Sequence, residues 1–169
     1  LPPGVAYMLS PFSPSLLGGA PEATKWVTST LRAEGCPAKA HPNTHTTTAL
    51  SSCFLMPHVV GLECAGWSID TLFGSELGNL AAEASRQALR AVATELGVKP
   101  PALSNVIRPS LVGPVFQIAK RFAPFSLEPY LAYHFTKVGA QTNHLLKNTP
   151  FASYLYKLFI HRIIIKGEG

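Results

Sequence analysis

Apolar residues recur at intervals of three and four along most of the chain after residue 43, the pattern of helices with one buried face. The clearest case follows Ser75, a candidate N-cap, and ends at Gly97. Its core face is predicted to comprise Leu77, Leu80, Ala81, Ala84, Ala88, Val92 and Leu96. A second long helix is predicted from Thr44 to Cys64, kinked where Pro57 removes a backbone donor.

Prolines and caps divide the rest of this region into shorter helices. The predicted elements are a short turn from Ser68 through Phe73, a short helix after residue 98, and helices over about 113–122, 127–147 and 149–165. No alternating strand pattern interrupts them. The pattern therefore predicts a mainly α structure after residue 42.

The first 42 residues have a different pattern. A short strand within "VAYMLS" is predicted, then an irregular loop, because four prolines and three glycines lie in the first 20 positions. Pro21 at a first helical turn and Gly35 as a C-terminal cap mark a helix of about 13 residues, and "CPAKAHPN" is expected to be extended. Strand, helix and strand are too few to form a stable sheet alone.

Composition narrows the classes of function. The 169 residues are 47% apolar and 14% charged, enough for one packed core. The net charge of +5 comes from scattered Lys and Arg, so we do not expect nucleic-acid binding. The longest nearly apolar run, Phe54 to Trp67, falls short of the roughly 20 residues that cross a bilayer, so we expect a soluble protein without a transmembrane segment.

The three cysteines indicate a reducing compartment. They form no CxxC pair, and an odd number does not favour a disulfide framework, so a cytoplasmic location is expected. Cys53, His58 and Cys64 match no zinc spacing, and we expect no metal site but buried thiols.

One predicted helix carries a second, polar stripe. On the helix from Leu127 to about Lys147, an apolar face is expected to pack on the core, whereas five polar residues recur at three and four on another side: His134, Lys137, Gln141, His144 and Asn148. Histidines and amides are less usual on a solvated face than Glu and Lys. The stripe either meets water or borders a site.

Three stretches resemble divergent members of the ketopantoate reductase (2-dehydropantoate 2-reductase) family, which reduce 2-oxo acids with NADPH: "PPGVAYMLSPFSPSLLGG", "LMPHVVGLECAGWS" and "PYLAYHFTKVGAQTNHLL". The resemblance implies that residues 1–42 end a nucleotide-binding α/β domain. It implies that residues 43–169 form a helical C-terminal domain of the 6-phosphogluconate-dehydrogenase C-terminal-like type, which closes the substrate cleft and contributes to a homodimer. No GxGxxG fingerprint occurs, so we expect NADP to bind only in a full-length protein with a Rossmann domain, and this fragment alone to be inactive.

The resemblance also implies a departure at the catalytic helix. The family carries a Lys, an Asn four residues later, and Asn-Pro after four more; aligning that proline with Pro57 places Thr48, Ser52 and Met56 there. The family's general acid is therefore missing. Thr48 and Ser52 remain as candidate substrate-binding hydroxyls, because a hydroxyl proton is held too tightly to replace an ammonium as acid.

A substitute for the missing lysine is expected on the polar stripe. Lys137 is the candidate catalytic cation facing the substrate, and His134 and Gln141 are candidates to orient it; Gln141 lies near the place of a family glutamate. A plain surface lysine is the competing interpretation. A different class of function also stays open, a helical interaction module whose basic amphipathic segment "FASYLYKLFIHRIIIK" binds a protein or a membrane surface.

Overall fold

The computed structural model describes residues 14–137, apart from the side chain of residue 103, and positions 1–13 and 138–169 lie outside this part. The described elements are mainly helical, which confirms the predicted class, with six α-helices, one short 3-10 helix and one two-stranded sheet in this part. The chain separates into two compact units that divide between Thr48 and Ala49.

The first unit contains two parallel strands joined by a helix. β1 (Ser15–Leu17) pairs with β2 (Ala38–Ala40), and α1 (Pro21–Ala33) makes the crossover. The 13-residue helix and the extended segment are confirmed. The predicted loop is wrong at residues 15–17, because backbone hydrogen bonds tie this segment to β2 and its flanks; the strand predicted within "VAYMLS" lies outside the described residues.

The two ends of α1 are built differently. Pro21 occupies the first turn, and Ala20 at the N-cap offers no side-chain acceptor to the free amides there. At the other end Gly35 has a φ of 75°, its amide donates to the Arg32 carbonyl at 3.0 Å, and the next amide donates to the Leu31 carbonyl at 2.8 Å. These two bonds form a Schellman motif, so the predicted glycine cap is confirmed.

Helix α2 (Thr44–Cys64) has the predicted bounds and contains Pro57. A proline inside a helix cannot donate to the carbonyl four residues earlier, which leaves the backbone locally short of a donor. One residue further on, the Phe54 carbonyl accepts from two side chains, His58 Nδ1 at 2.8 Å and Ser85 Oγ at 3.1 Å. Side-chain donors thus join the interrupted part of α2 to a neighbouring helix.

Two serine caps begin the next helices, as predicted. The Ser68 hydroxyl accepts from the Thr71 amide at the start of α3 (Ile69–Phe73), and the Ser75 hydroxyl accepts from the Leu77 amide at the start of α4 (Glu76–Glu95). Both caps satisfy amides that have no partner inside the helix.

The proline-rich region forms one helix that is longer than expected. After a 3-10 turn (Ala102–Asn105), α5 covers Pro109–Phe122, so the predicted start at Gly113 is wrong by four residues. Pro109 occupies the first turn, where its missing amide costs nothing, and Pro114 lies inside the helix. Helix α6 covers Leu127–Lys137 in the described part, and the predicted extension to Lys147 and the helix to Ile165 lie outside it.

The core of the second unit lies where α2, α3 and α4 meet. Leu62, Ile69 and Leu72 are almost completely buried there. The predicted face of α4 is confirmed, with Leu77, Ala81, Ala84 and Ala88 buried and Leu80, Val92 and Leu96 half-buried. On α6 the face expected to pack on the core includes Leu127, Leu131 and Phe135, and these three residues are only half-buried. Cys53 and Cys64 are buried and Cys36 is half-buried, so the expectation of buried thiols holds for two of the three.

Candidate functional site

The candidate substrate-binding hydroxyls lie on α2. Thr48 is the last residue of the first unit, Ser52 belongs to the second unit, and both side chains are exposed. Neither hydroxyl bonds to another described residue. Met56, the third position implied by the resemblance, is half-buried. Both hydroxyls are therefore free to bind a ligand from solvent.

The candidate catalytic lysine lies at the end of α6 with its side chain exposed. Lys137 lines a shallow hollow of about 410 Å³ together with Ala132, Tyr133 and Thr136. One turn earlier, the exposed His134 stacks on Tyr130, with ring centroids 5.8 Å apart. Gln141 lies outside the described residues, so its place beside Lys137 stays a prediction.

The described residues do not assemble these candidates into one constellation. No hydrogen bond or ring contact in residues 14–137 joins Ser52 to His134 or Lys137. His134 and Lys137 are both exposed on α6, and their spacing of three residues places them on one side of that helix.

Sequence reasoning missed a charged network beside α6. The Lys120 ammonium lies 3.0 Å from a carboxylate oxygen of Asp70 and 3.0 Å from one of Glu128. The same Glu128 oxygen accepts from the Ile69 amide at 2.8 Å, and Gln117 donates to Asp70 at 2.6 Å. Hydrogen bonding to Glu128 and Asp70 raises the pKa of Lys120, and hydrogen bonding to Gln117 and Lys120 lowers that of Asp70.

This network is structural rather than catalytic. Lys120 is held between two carboxylates, which favour its charged form and keep it from giving up a proton. The three residues come from α3, α5 and α6, so the ion pairs connect these helices. Asp70 and Glu128 lie 50 and 8 positions from Lys120 along the chain. Because charged residues are scattered singly in the sequence, nothing there indicated this network.

A buried histidine pairs with a buried serine between α2 and α4. His58 and Ser85 are fully buried, and the Ser85 hydroxyl lies 3.3 Å from His58 Nδ1. The rings of Phe54, Phe73 and Phe116 surround the imidazole, whose Nε2 has no partner in the described part. Burial lowers the pKa of His58, opposed in part by the hydrogen bond to the Phe54 carbonyl.

This pair resembles a nucleophile and base only in composition. Nδ1 donates to the Phe54 carbonyl at 2.8 Å, and the Ser85 hydroxyl donates to the same carbonyl, so neither is placed to activate the other. Both side chains are also inaccessible to a substrate. The pair therefore supports the fold and is not a catalytic dyad.

A large hollow lies in the first unit, along α1. Its volume is about 930 Å³, and it extends from the turn at Gly18 and Gly19 past Lys25 to Arg32, with His41 on the β2 side. Sequence reasoning treated the glycine pair as a plain loop. The sequence did contain a signal for a binding hollow here, a glycine turn directly before a helix that begins with Pro21.

The described residues lack a metal cluster and a membrane-spanning helix. Residues 14–137 contain no group of three or more His, Cys, Asp or Glu side chains that could hold a metal ion. No helix of this part has both the length and the apolar character needed to cross a bilayer. No protein-family model, curated protein or solved structure matches the chain.

Proposed function

We propose that this chain is the C-terminal part of an NADPH-dependent reductase of the ketopantoate reductase type, acting on a 2-oxo acid. In this proposal residues 1–42 end the nucleotide-binding domain, and residues 43–169 form a helical domain of the 6-phosphogluconate-dehydrogenase C-terminal-like type that closes the cleft and contributes to a homodimer. Such a protein works in the cytoplasm.

The observation that carries the proposal is the parallel β1, α1, β2 unit, followed in the chain by the long helix α2. Parallel strands joined by a helix are the repeating unit of dinucleotide-binding sheets. A two-stranded parallel sheet is marginal alone and gains stability from further strands. The unit therefore suits the end of a larger α/β domain.

The chain's own residues would act on the substrate rather than on the cofactor. NADPH supplies a hydride when it is bound, but the sequence lacks the glycine fingerprint that holds a dinucleotide. The exposed ammonium of Lys137 would bind the substrate carboxylate or protonate the ketone oxygen, with His134 and Gln141 orienting the molecule. The hydroxyls of Thr48 and Ser52 would donate hydrogen bonds to it.

The test is the rate of NADPH oxidation by the full-length natural protein with a panel of 2-oxo acids that includes ketopantoate. The Lys137→Ala variant is expected to lose about 100-fold in kcat/KM, the usual scale for an acid catalyst. Lys99→Ala is a matched control, since Lys99 is an exposed lysine outside α6, and it should retain full activity. Equal rates for Lys137→Ala and wild type would remove the lysine's role, and no oxidation with any 2-oxo acid would remove the proposed activity.

A specific feature favours a second candidate, a module that binds an anionic membrane surface. Four large apolar side chains are 55 to 79% exposed on one side of α5, namely Leu111, Val115, Ile118 and Phe122. Their spacing of four, three and four makes a continuous stripe. Arg108 and Arg121 are exposed near its two ends, which is the pattern of a helix that lies on anionic lipid.

Co-sedimentation with vesicles tests this second candidate, membrane binding. The protein is expected to sediment with phosphatidylserine-containing vesicles and much less with pure phosphatidylcholine. Ile118→Ser combined with Phe122→Ser should weaken binding about tenfold or more, because both side chains lose apolar contact with lipid. Val106→Ser is the control, since Val106 is 47% exposed but lies outside α5. Sedimentation with neither vesicle would exclude membrane binding and leave the stripe to a protein partner.

A further inference from the structure

The hollow of about 930 Å³ along α1, here called the α1 groove, has the position that parallel α/β units use for ligands. Backbone hydrogen bonding from the His41 amide to the Leu17 carbonyl at 2.8 Å brings the ends of β1 and β2 to the same edge. The glycine turn and the start of α1 lie at that edge. Ligands of open parallel sheets bind outside the carboxyl ends of the strands, where helices present their N-termini.

The chain approaches itself closely at this edge. A Cβ on Gly18 would overlap the hydroxyl of Thr44, so a side chain does not fit at this position. Gly18 and Gly19 both line the groove, so this part of its wall is backbone without side chains.

The charged side chains that line the groove are all basic. Lys25 and Arg32 lie seven residues apart on α1, and the described lining includes no Asp or Glu. Arg32 uses Nε to donate to the Ala38 carbonyl at 2.7 Å, which fixes the guanidinium and leaves its two terminal nitrogens available. The groove thus offers two cations from α1, of which Arg32 is held in place by its hydrogen bond.

His41, directly after β2, adds a donor to the groove lining. Its Nδ1 accepts from the Asn43 amide at 3.1 Å, so the neutral ring carries its proton on Nε2. An Nε2 proton can be donated to an anionic oxygen. Ser29 also lines the groove. Its hydroxyl already donates its proton to the Trp26 carbonyl at 2.8 Å, so it has none left for an anionic oxygen.

A second, independent feature points to a ligand. Thr28 lines the groove and is 7% exposed, yet its hydroxyl has no hydrogen-bond partner within the described residues. Buried hydroxyls are almost always satisfied, because an unmade bond costs stability. The Thr28 hydroxyl is therefore left without a protein partner at the groove wall.

We propose that the α1 groove binds a phosphate-bearing small molecule. The phosphate lies between the glycine turn and the first turn of α1, within reach of Lys25 and His41, and the remainder extends along α1 past Thr28 toward Arg32. The volume of about 930 Å³ exceeds what inorganic phosphate needs and is within the range of small-molecule pockets. This site does not depend on the proposed reductase activity.

Binding of inorganic phosphate and of AMP to the full chain, measured by isothermal titration calorimetry at low ionic strength, tests the proposal. Both probes should bind, and binding should weaken as salt is added. Lys25→Glu should weaken each by about tenfold or more, because it replaces a favourable charge by a repulsive one. Lys39→Glu is the matched control: Lys39 is exposed on β2, in the same unit, and does not line the groove.

The outcomes distinguish the source of the phosphate. Tighter binding of AMP than of phosphate, lost in Lys25→Glu and kept in Lys39→Glu, supports a nucleotide or similar organic ligand. Equal binding of both probes with the same variant pattern supports a site for the phosphate group alone. Absence of binding, or an equal loss in both variants, would overturn the proposal. Because NADPH oxidation is not measured, failure of the reductase proposal would leave this result unchanged.

Discussion

Acid should destabilise the second unit through His58. The imidazole is fully buried, and burial holds its pKa below the value of 6.5 expected for an exposed histidine. As pH falls, the unfolded chain therefore takes up the proton before the folded chain does. The stability that depends on a neutral His58 is complete above about pH 6.5 and is lost as pH falls toward the folded pKa.

The size of the effect follows from proton linkage. A proton taken up by the unfolded state alone changes the free energy of unfolding by at most about 1.4 kcal/mol per pH unit. Lowering the pH from about 6.5 to about 5.5 should therefore remove at most about 1 kcal/mol. The structure offers the charged ring no compensation, because the protonated Nε2 would face phenylalanine rings without an acceptor.

Urea unfolding over a series of pH values measures this change. His58→Gln cannot titrate, so its free energy of unfolding should vary less than that of wild type over the same range. His45→Gln is the control, because His45 is exposed, and it should follow wild type. The same pH dependence in wild type and His58→Gln would refute the assignment to this residue.

Two further predictions concern the core and its thiols. Leu62→Ala should lower the free energy of unfolding by about 2–5 kcal/mol, because it leaves a cavity in the core. Leu55→Ala, on the same helix but at a residue 40% exposed, should lower it clearly less. Comparable losses in urea unfolding would contradict the described core. Burial raises the pKa of Cys53 to about 11. At about pH 8 iodoacetamide should therefore alkylate the half-buried Cys36 much faster than the buried Cys53. Equal alkylation rates by mass spectrometry would contradict the burial of Cys53.

Elements with local signals were predictable from the sequence. Ser68 and Ser75 begin α3 and α4 because a serine hydroxyl can accept from an amide two or three residues later, whatever the rest of the fold does. Gly35 ends α1 for an equally local reason. The class and most helix boundaries therefore follow from short stretches of sequence.

Features that depend on distant residues were not predictable in this way. β1 exists because its three residues pair with β2, more than 20 positions later, and nothing in "SLL" distinguishes it from a loop. The basic groove likewise depends on this pairing, which brings His41 to the glycine turn. Lys120 between its two carboxylates is a third example, since the partner Asp70 is 50 residues away.

The Phe54 carbonyl also helps to fix the rotation of α4 about its own axis. The side of α4 that faces the core is largely alanine, with Ala81, Ala84 and Ala88 buried, and such a smooth surface resists rotation about the helix axis only weakly. The hydrogen bond from Ser85 to that carbonyl is directional and would break if α4 turned. Ser85→Ala should therefore loosen the angular position of α4 more than it reduces the apolar area buried.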